Sequence, residues 1–357
     1  MRFNLYNDSL ISCIMALSLS KYGFEINIRN KHIKPFGRYF SINYFSKRYL
    51  ENINIWENLE LDKITQYKRI EIYKNNLRTI CFNSKDINID CLGYIINEND
   101  LTNAVSKLIL KDKNIKCTSG TFRDSNSDTN IISSYQDVHP NIQSKNYLTK
   151  NYNQTAININ IVHKISNDNI PRQIFYKNEI LGFLPISEKS YNLIWSVPNE
   201  LFNKISLEDS HSYIKLIKAR ANFILGDIKE ISIGNSFSLS ARHADEYFYK
   251  NTLLIGEAAH KFHPLAGLGL NMGIEDISFF TQLLTKHNDI KLAFREYAIK
   301  RIQKNNSLQH ILDLIIQFHS SPLMSDKLKK YFLSLFDNTL LIKPLIIKGA
   351  TGFDNKI

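Results

Sequence analysis

The sequence predicts an α/β fold in which a parallel-stranded unit is interleaved with a mainly antiparallel sheet and is followed by a helical C-terminus. Three observations carry this prediction. The chain opens with a strand, a tight turn, a helix and a second strand. Its middle part alternates apolar and polar residues, and its last part, from residue 288, repeats apolar residues at helical spacing.

The opening segment gives the parallel-stranded unit its type. Residues 2–6 are predicted as a strand, 7–9 as a turn and 10–22 as a helix. Gly23 is placed to cap that helix, and residues 25–29 alternate as a second strand. This βαβ order is the usual opening of a Rossmann-like, dinucleotide-binding (FAD/NAD(P)-binding) fold.

The spacing of apolar residues also predicts the helices and strands in the rest of the chain. Helix-like patterns occur at residues 38–50 and 100–110, and short strands are predicted within 66–97, whereas the polar segment 112–150 has few apolar anchors. The later predicted elements are antiparallel strands at 156–162, 173–176, 181–185 and 191–197, a buried strand at 252–256, a helix from about Met272, and helical structure over 288–349 with a break at 320–322.

These elements predict two interleaved domains and a C-terminal region. The predicted FAD/NAD(P)-binding domain is discontinuous (1–65, 98–150 and 236–290), the antiparallel sheet domain that covers the substrate takes 66–97 and 151–235, and 291–357 form the helical region.

Composition limits the possible functions. The chain has 357 residues, 43% hydrophobic and 22% charged, which is typical of a globular protein. Its net charge of +11 is spread along the chain without an arginine-rich block, so nucleic acid is not an expected partner. The four cysteines lie far apart with no metal-binding spacing, and they predict reduced thiols and no metal site.

No targeting or membrane-spanning segment is predicted. No apolar run is long enough to cross a bilayer. The N-terminal apolar stretch is interrupted by Asn7 and Asp8, and no small-residue cleavage site follows it. The expected location is therefore the cytoplasm, with peripheral contact to the inner membrane left open.

The most informative segment is residues 253–280, LLIGEAAHKFHPLAGLGLNMGIEDISFF, where a short strand leads through a glycine-rich loop into a helix. Such a loop directs several backbone N–H groups toward one place, and these donors and the helix dipole favour negative charge. Gly267 and Gly269 would let a flat ligand approach the backbone closely. The alternative is an ordinary loop between a buried strand and an amphipathic helix.

This segment resembles the third flavin-contact motif of the aromatic-ring hydroxylases, G-D-A-A-H followed by P-x-x-G-x-G-x-N-x-G-x-x-D. The matching residues are Gly256, Ala258, Ala259, His260, Pro264, Gly267, Gly269, Asn271, Gly273 and Asp276. Further segments resemble that superfamily at 36–50, 152–156, 182–185, 237–245 and 349–352, and the segments 92–101 and 193–198 resemble its ubiquinone branch. The chain is therefore identified as a member of the UbiH-type FAD-dependent hydroxylase family.

The resemblance implies FAD as cofactor and indicates its binding residues. Arg38 is expected near the flavin, and Glu257 replaces the aspartate that meets the ribityl chain. The isoalloxazine end of the site is expected to comprise Gly256, Pro264, Gly267, Leu268, Gly269, Leu270 and Asn271.

The ADP end departs from the family pattern. The glycines of G-x-G-x-x-G fall on Asn7, Ser9 and Ser12. Asn7 can adopt a left-handed turn at modest cost, but the Ser9 side chain would stand between the backbone and the pyrophosphate. Asp8 would add a negative charge beside the phosphates.

Two further positions weaken the same end. Asn30 replaces the acidic residue that holds the ribose, so a charged hydrogen bond becomes a weaker neutral one. The middle family motif aligns loosely with residues 134–143, with its aspartate on Gln136 and its arginine on Gln143. We therefore expect an intact ring end and a weakened ADP end.

The activity implied by the resemblance is hydroxylation of an electron-rich phenol, with NADPH or NADH as reductant, O2 as co-substrate and no metal. His260 and His263 are the catalytic candidates, and a structural hydrogen-bonding role in the loop is the alternative for both. The implied substrate is a polyprenylated phenol. A basic surface and the apolar residues 312–318 and 331–335 could contact a membrane, unless these residues face the core.

Two other functions stay open. The first is a non-catalytic relative that acts as a scaffold in a quinone-biosynthesis complex, which the altered glycine positions favour. The second is a flavoprotein of the same fold that acts on another aromatic compound or an alkene.

Overall fold

The computed structural model describes residues 1–30, 35–74, 76–120, 128–138, 147–164, 166–264, 267–320 and 342–352. Its strands form three sheets, and its helices cover them. Within the described residues, no helix has the length and apolarity needed to cross a membrane.

The first sheet is the Rossmann-type unit. It has six strands in the order β15-β16-β9-β1-β2-β8, and all of its pairs are parallel except β15 with β16. The strands are β1 (Arg2–Leu5), β2 (Glu25–Arg29), β8 (Ile115–Thr118), β9 (Thr129–Ile132), β15 (Phe248–Tyr249) and β16 (Thr252–Leu254). The chain runs outward from β1 to β2 and β8 and then returns to β9 on the other side of β1. The crevice between β1 and β9 is thus the topological switch point, where such sheets bind ligands.

The second sheet has eight strands in the order β17-β14-β10-β13-β12-β11-β5-β6, and its pairs are antiparallel except β11 with β5. A small third sheet has the order β3-β7-β4. The strands of both are β3 (Tyr39–Asn43), β4 (Thr65–Tyr67), β5 (Arg69–Lys74), β6 (Leu77–Asn83), β7 (Gly93–Asn97), β10 (Tyr147–His163), β11 (Arg172–Tyr176), β12 (Glu179–Ser187), β13 (Ser190–Pro198), β14 (Ile228–Ala244) and β17 (His260–Lys261).

The helices begin at capping side chains that the sequence supplies. Ser9, Asn43, Asn97 and Asp209 each accept a hydrogen bond from a backbone N–H of the first turn, which satisfies a donor that lacks a partner within the helix. The helices are α1 (Leu10–Lys21), α2 (Tyr44–Asn52), α3 (Glu98–Lys111), α4 (Asn199–Ile205), α5 (Ser210–Leu225), α6 (Gly269–Lys286), α7 (Ile290–Ser320) and α8 (Ile342–Thr351).

Two large apolar clusters form most of the core. One lies around β1, β2, β9 and β16 and includes Phe3, Ile131 and Phe280. The other lies between the second sheet and α5 and includes Trp195 and Ile217. Burial of these side chains supplies the main driving force for folding.

The predicted α/β fold is confirmed, and several local predictions are corrected. Residues 38–50 are not one helix, because the β-prone run YFSIN forms β3 before α2 begins. The helix predicted from about Met272 begins at Gly269. The polar segment 112–150 contains β8 and β9, and α4 and α5 lie where no helix was predicted. The break predicted at 320–322 and the apolar residues 331–335 fall partly or wholly outside the described residues.

Candidate functional site

The glycine-rich loop lies between the first and second sheets. It runs from β16 through a 3₁₀ turn, Gly256–Ala258, to β17 and then to the first turn of α6. Gly256 and Gly267 have positive φ values of 52° and 59°, which favour glycine because other side chains are strained there. A side-chain carbon at Gly269 would meet no other atom within 4 Å. The glycine positions therefore leave the backbone open to a flat ligand.

Asn271 joins this loop to strand β3. Its Oδ1 accepts from the backbone N–H of Asn43 at 3.0 Å, and its Nδ2 donates to the carbonyl oxygens of Ser41 at 2.7 Å and Gly267 at 3.3 Å. The Asn271 side chain is buried. Because a buried amide satisfied on both sides fixes the backbone around it, the open face of Gly267 and Gly269 is held in place.

Leu268 and Leu270 alternate with the open glycines in the sequence and differ in burial. Leu268 is the residue before α6 and is half-buried against Phe262 and Met272, whereas Leu270 is buried in the first core cluster. No side chain among the described residues caps the N-terminus of α6. The N–H groups of its first turn are thus available to an anionic or hydrogen-bond-accepting edge.

The residues expected near the ribityl chain and ring have charged partners. Glu257 is exposed, with its carboxylate 3.8 Å from the Arg242 guanidinium. Arg38 is half-exposed and donates to Glu98 through Nη2 at 2.8 Å and Nε at 3.2 Å. Its guanidinium also lies over the rings of Phe36 and Phe40. Arg38 is therefore a fixed cation at the start of β3, the strand that holds Asn271.

His260 belongs to a buried charged network. Its Nε2 lies 2.7 Å from Oδ2 of Asp276, which also accepts from the Gly256 N–H at 2.9 Å. Arg301 on α7 donates to Oδ1 of Asp276 at 2.6 Å and to Glu275 at 3.1 Å. Burial alone would raise the pKa of Asp276, but Arg301 and His260 lower it to about 2. This geometry supports the structural alternative for His260, in which the ring helps fix the loop.

His263 is also buried, but its surroundings are different. Its ring lies edge-on to Tyr152, with 4.8 Å between centroids, and its Nε2 is 3.5 Å from Oε1 of Gln154. Burial lowers the pKa of His263 to about 4, against the opposing effect of the Asp313 carboxylate. The imidazole is consequently neutral near pH 7 and is a weak base.

This burial makes stability depend on pH. His263 and His243 both have folded-state pKa values of about 4, each lowered chiefly by burial, whereas an unfolded histidine titrates near 6.5. Between these values the unfolded chain binds protons that the folded chain does not, so stability falls as pH drops from about 7 toward 4. At about pH 5 we expect each histidine to cost on the order of 1–2 kcal/mol.

Thermal unfolding midpoints at about pH 7.5 and pH 5 would measure this effect. His263→Phe should reduce but not abolish the pH-dependent loss, because His243 and His163 remain as buried histidines with lowered pKa values, whereas changing the exposed His211 to Phe should leave the loss unchanged. An undiminished loss in the His263 variant would contradict the assignment.

The turn between β1 and α1 lies at the switch point, but it is filled by its own side chains. Asn7, Ser9 and Ser12 hydrogen-bond with one another and with Ser133, the residue after β9. Asn7 does not take the left-handed conformation that the sequence allows; its Oδ1 instead accepts from the Ser9 N–H at 3.0 Å. Asn30 is the residue after β2, and its N–H donates to the carbonyl oxygen of Thr118 at 2.8 Å.

Several residues of the site were missed from sequence. The alignment placed the middle motif's aspartate on Gln136, but the carboxylate that meets Asn7 belongs to Asp137, with Nδ2 donating to Oδ2 at 2.5 Å. Gln143, the aligned arginine position, lies outside the described residues. Ser133 follows a buried strand at the carboxyl edge of the sheet, and this position in the sequence could have indicated a site residue. Arg301 had no local signal, because its partners are 25 and 26 positions away.

The segment that contains the glycine-rich loop matches a known family in sequence. A family model described as "FAD binding domain" matches residues 174–288, which include the loop and exclude the β1–α1 turn.

Relatives extend the comparison over most of the chain. The uncharacterized protein slr1300 of Synechocystis is 22% identical, with 96% of this chain and 91% of the relative covered. The ubiquinone hydroxylase UbiM of Neisseria meningitidis is 19% identical, with 88% and 75% covered. The p-nitrophenol 4-monooxygenase PnpA of Pseudomonas putida shares the fold with a TM-score of 0.77 at 11% identity, covering 98% of both chains. HpxO of Klebsiella pneumoniae, solved with FAD and uric acid, shares it with a TM-score of 0.72 at 12% identity, covering 99% and 96%. The chain is thus similar in sequence to a ubiquinone hydroxylase over most of its length, and it shares the fold of a p-nitrophenol monooxygenase and of a protein solved with FAD.

Proposed function

We propose that this protein is an FAD-dependent monooxygenase that hydroxylates the aromatic ring of a polyprenylated phenol in ubiquinone biosynthesis, using O2 and NADH or NADPH. The observation that carries the proposal is the Asn271 bridge, which holds the open backbone of Gly267 and Gly269 against β3. The relationship to a ubiquinone hydroxylase supports this choice of pathway.

The residues of the glycine-rich loop suit the ring end of a flavin. Bound FAD would supply the oxygen-activating chemistry, which amino-acid side chains cannot provide. The uncapped first turn of α6 would donate hydrogen bonds to the pyrimidine edge and favour negative charge there. Pro264 and Leu268 would border the ring, and Arg38 would keep a positive charge close to the same face.

Two histidines would complete the site in different ways. His260, bound to Asp276, would position the loop and would not exchange protons with substrate. His263 is the catalytic candidate that stays neutral near pH 7. In this form it can accept a hydrogen bond from a phenol, and it is too weak a base to hold the proton.

A membrane surface is the proposed source of the substrate. On α7, Ile311, Leu314, Ile315 and Phe318 recur at the spacing of one helix face, and the first three are exposed by 53%, 64% and 37%. The chain's net charge of +11 favours association with the anionic surface of a bilayer. We propose peripheral contact through this face.

One experiment tests activity and membrane contact together. A polyprenylated phenol would be placed in phosphatidylcholine vesicles, with or without about one-third phosphatidylglycerol. The protein would be added with saturating FAD and NADH or NADPH. We expect co-sedimentation with the anionic vesicles and a product 16 mass units heavier, roughly the mass of one added oxygen atom.

Matched variants separate the two parts of the proposal. Leu314→Asp should weaken co-sedimentation, whereas Leu207→Asp, at an exposed leucine on another surface, should not. Binding of FAD without any hydroxylated product would contradict the proposed activity. Equal partitioning of both variants would contradict the proposed membrane face.

The second candidate function is a non-catalytic scaffold in a quinone-biosynthesis complex. The filled β1–α1 turn favours it, because the N–H groups there have protein partners in place of phosphate. A chain that binds no flavin at high micromolar FAD and forms no product would support this candidate.

A further inference from the structure

Four polar residues fill the switch-point crevice of the first sheet. Asn7, Ser9 and Ser12 come from the β1–α1 turn and Ser133 from the end of β9, and we call them the serine cluster. Three of them occupy positions where the family motif has glycine. In such folds the glycines allow the pyrophosphate of a dinucleotide to reach the backbone.

The serine cluster is satisfied by its own hydrogen bonds. Oδ1 of Asn7 accepts from Ser12 Oγ at 2.9 Å and from Ser133 Oγ at 3.1 Å. Ser133 Oγ also lies 2.8 Å from Ser9 Oγ and 2.7 Å from Ser12 Oγ. Asn7, Ser12 and Ser133 are buried. A ligand phosphate would have to break these bonds before it could make its own, and their loss would offset much of the gain.

The Ser9 side chain also accepts a backbone hydrogen bond at the start of α1 that a bound anion could otherwise accept. Its Oγ accepts from the Ser12 N–H at 3.3 Å, the bond of an N-cap side chain. A phosphate oxygen bound to this turn would compete for the same donor. The side-chain oxygen thus stands in the position that the pyrophosphate would need.

The local charge opposes a diphosphate as well. The Asp137 carboxylate meets Asn7 Nδ2 at 2.5 Å, and Asp8 lies in the turn between Asn7 and Ser9. Negative charges close to a bound phosphate reduce its affinity, and the penalty grows as water is excluded. Sterics, satisfied hydrogen bonds and charge therefore all disfavour the ADP half of FAD.

The ring end of the site differs in each of these respects. Gly267 and Gly269 are exposed, and a side-chain carbon at either position would make no close contact. No described side chain caps the first turn of α6. Asn271 fixes Gly267 and the first turn of α6 against β3, and the N–H groups of that turn keep room for a ligand.

We propose that the serine cluster closes the pyrophosphate groove, so that a flavin is held through its isoalloxazine ring and ribityl chain and gains no affinity from its ADP half. This inference rests on the proposed function, because it assumes that the ring end binds flavin. It adds an expectation that the family's glycine motif does not give: riboflavin and FAD should bind this protein with similar affinity.

Equilibrium dialysis with absorbance detection tests the preference directly. For the unmodified protein we expect the dissociation constants of FAD and riboflavin to agree within about threefold, a difference under roughly 0.7 kcal/mol. Millimolar ADP should displace neither flavin. If FAD binds more than about tenfold tighter than riboflavin, or if ADP displaces either flavin, the proposal of a closed groove is contradicted. The proposed function would not be contradicted by that result.

A double variant reopens the groove. Asp8→Ala with Ser9→Gly removes the added charge and the competing oxygen, and glycine is tolerated as an N-cap at small cost. We expect FAD to bind about tenfold tighter than to the unmodified protein, roughly 1.4 kcal/mol, with riboflavin unchanged. If the affinities for FAD and riboflavin rose equally, or if neither rose, the pyrophosphate groove would not lie at Asp8 and Ser9.

The matched control removes a carboxylate and a cap elsewhere. Asp209 is the N-cap of α5 and accepts from the Ser212 N–H at 2.8 Å. Asp209→Gly should therefore change neither dissociation constant. If this control also bound FAD more tightly, the gain in the double variant would be explained by the change in net charge and not by the groove. If neither flavin binds the unmodified protein, the assignment of the glycine-rich loop as the ring-binding site is wrong, and the proposed function is contradicted as well.

Discussion

Replacing Arg301 by alanine should destabilise the fold by about 3–5 kcal/mol, because it leaves the fully buried Asp276 carboxylate without its guanidinium counter-charge. Arg301 is nearly inaccessible and bonds Asp276 at 2.6 Å and Glu275 at 3.1 Å. Its Nη2 also donates to the carbonyl oxygen of Met272 at 3.2 Å. The guanidinium therefore joins α7 to the helix that follows the glycine-rich loop.

Urea unfolding followed by fluorescence would measure the loss as a lower midpoint. Lys304→Ala is the matched control, because Lys304 bonds the same Glu275 at 2.6 Å from a half-exposed position. Because Lys304 is half-exposed and Glu275 keeps Arg301 as a partner, we expect the Lys304 variant to lose about 1 kcal/mol or less. Similar midpoints for the two variants would show that the Asp276 charge is stabilised by something other than Arg301.

Gly93→Ala should have the second-largest effect, a loss of about 1–3 kcal/mol from overpacking. Gly93 is in the central strand of the small sheet and pairs with Asn43 and Tyr67. A side-chain carbon there would lie 2.5 Å from the carbonyl oxygen of Ile42 and still closer to the Tyr67 hydroxyl. Because the carbonyl belongs to the backbone, β3 itself must move.

The same change should reach the candidate site. Strand β3 carries Ser41 and Asn43, which bond the Asn271 amide. We expect Gly93→Ala to weaken flavin binding as well as to lower the thermal midpoint. Gly182→Ala is the control, since its nearest contact would be an ordinary 3.8 Å to the Ile194 carbonyl oxygen. Equal midpoints for the two variants would show that the small sheet adapts at little cost.

The local features of the fold could be predicted from the sequence. The βαβ opening is visible in the alternation of 25–29 and in Gly23, which has a φ of 78° after α1. The loop of 256–271 is visible because its glycines and Asn271 have fixed spacing. Such signals depend on residues close together in the chain.

Features that depend on distant partners could not be predicted. Ser9 and Ser12 appear in the sequence only as lost glycines, and their partner Ser133 is more than 100 positions away. His260 appears as a catalytic candidate until Asp276 and Arg301 are placed beside it. The run 38–50 reads as a helix because the pairing of β3 with β7 is invisible to local periodicity.

The order of strands in the first sheet has a consequence for synthesis on the ribosome. Strand β9 is complete at residue 132, but its outer neighbour β16 is made of residues 252–254. Until then a nascent chain carries β9 as an open edge, able to pair with another chain. Domains generally fold as units during translation, but here the first sheet cannot be completed until all strands of the second sheet except β17 have been made. Slowed elongation before residue 254 would thus prolong the period in which the growing polypeptide is prone to aggregate.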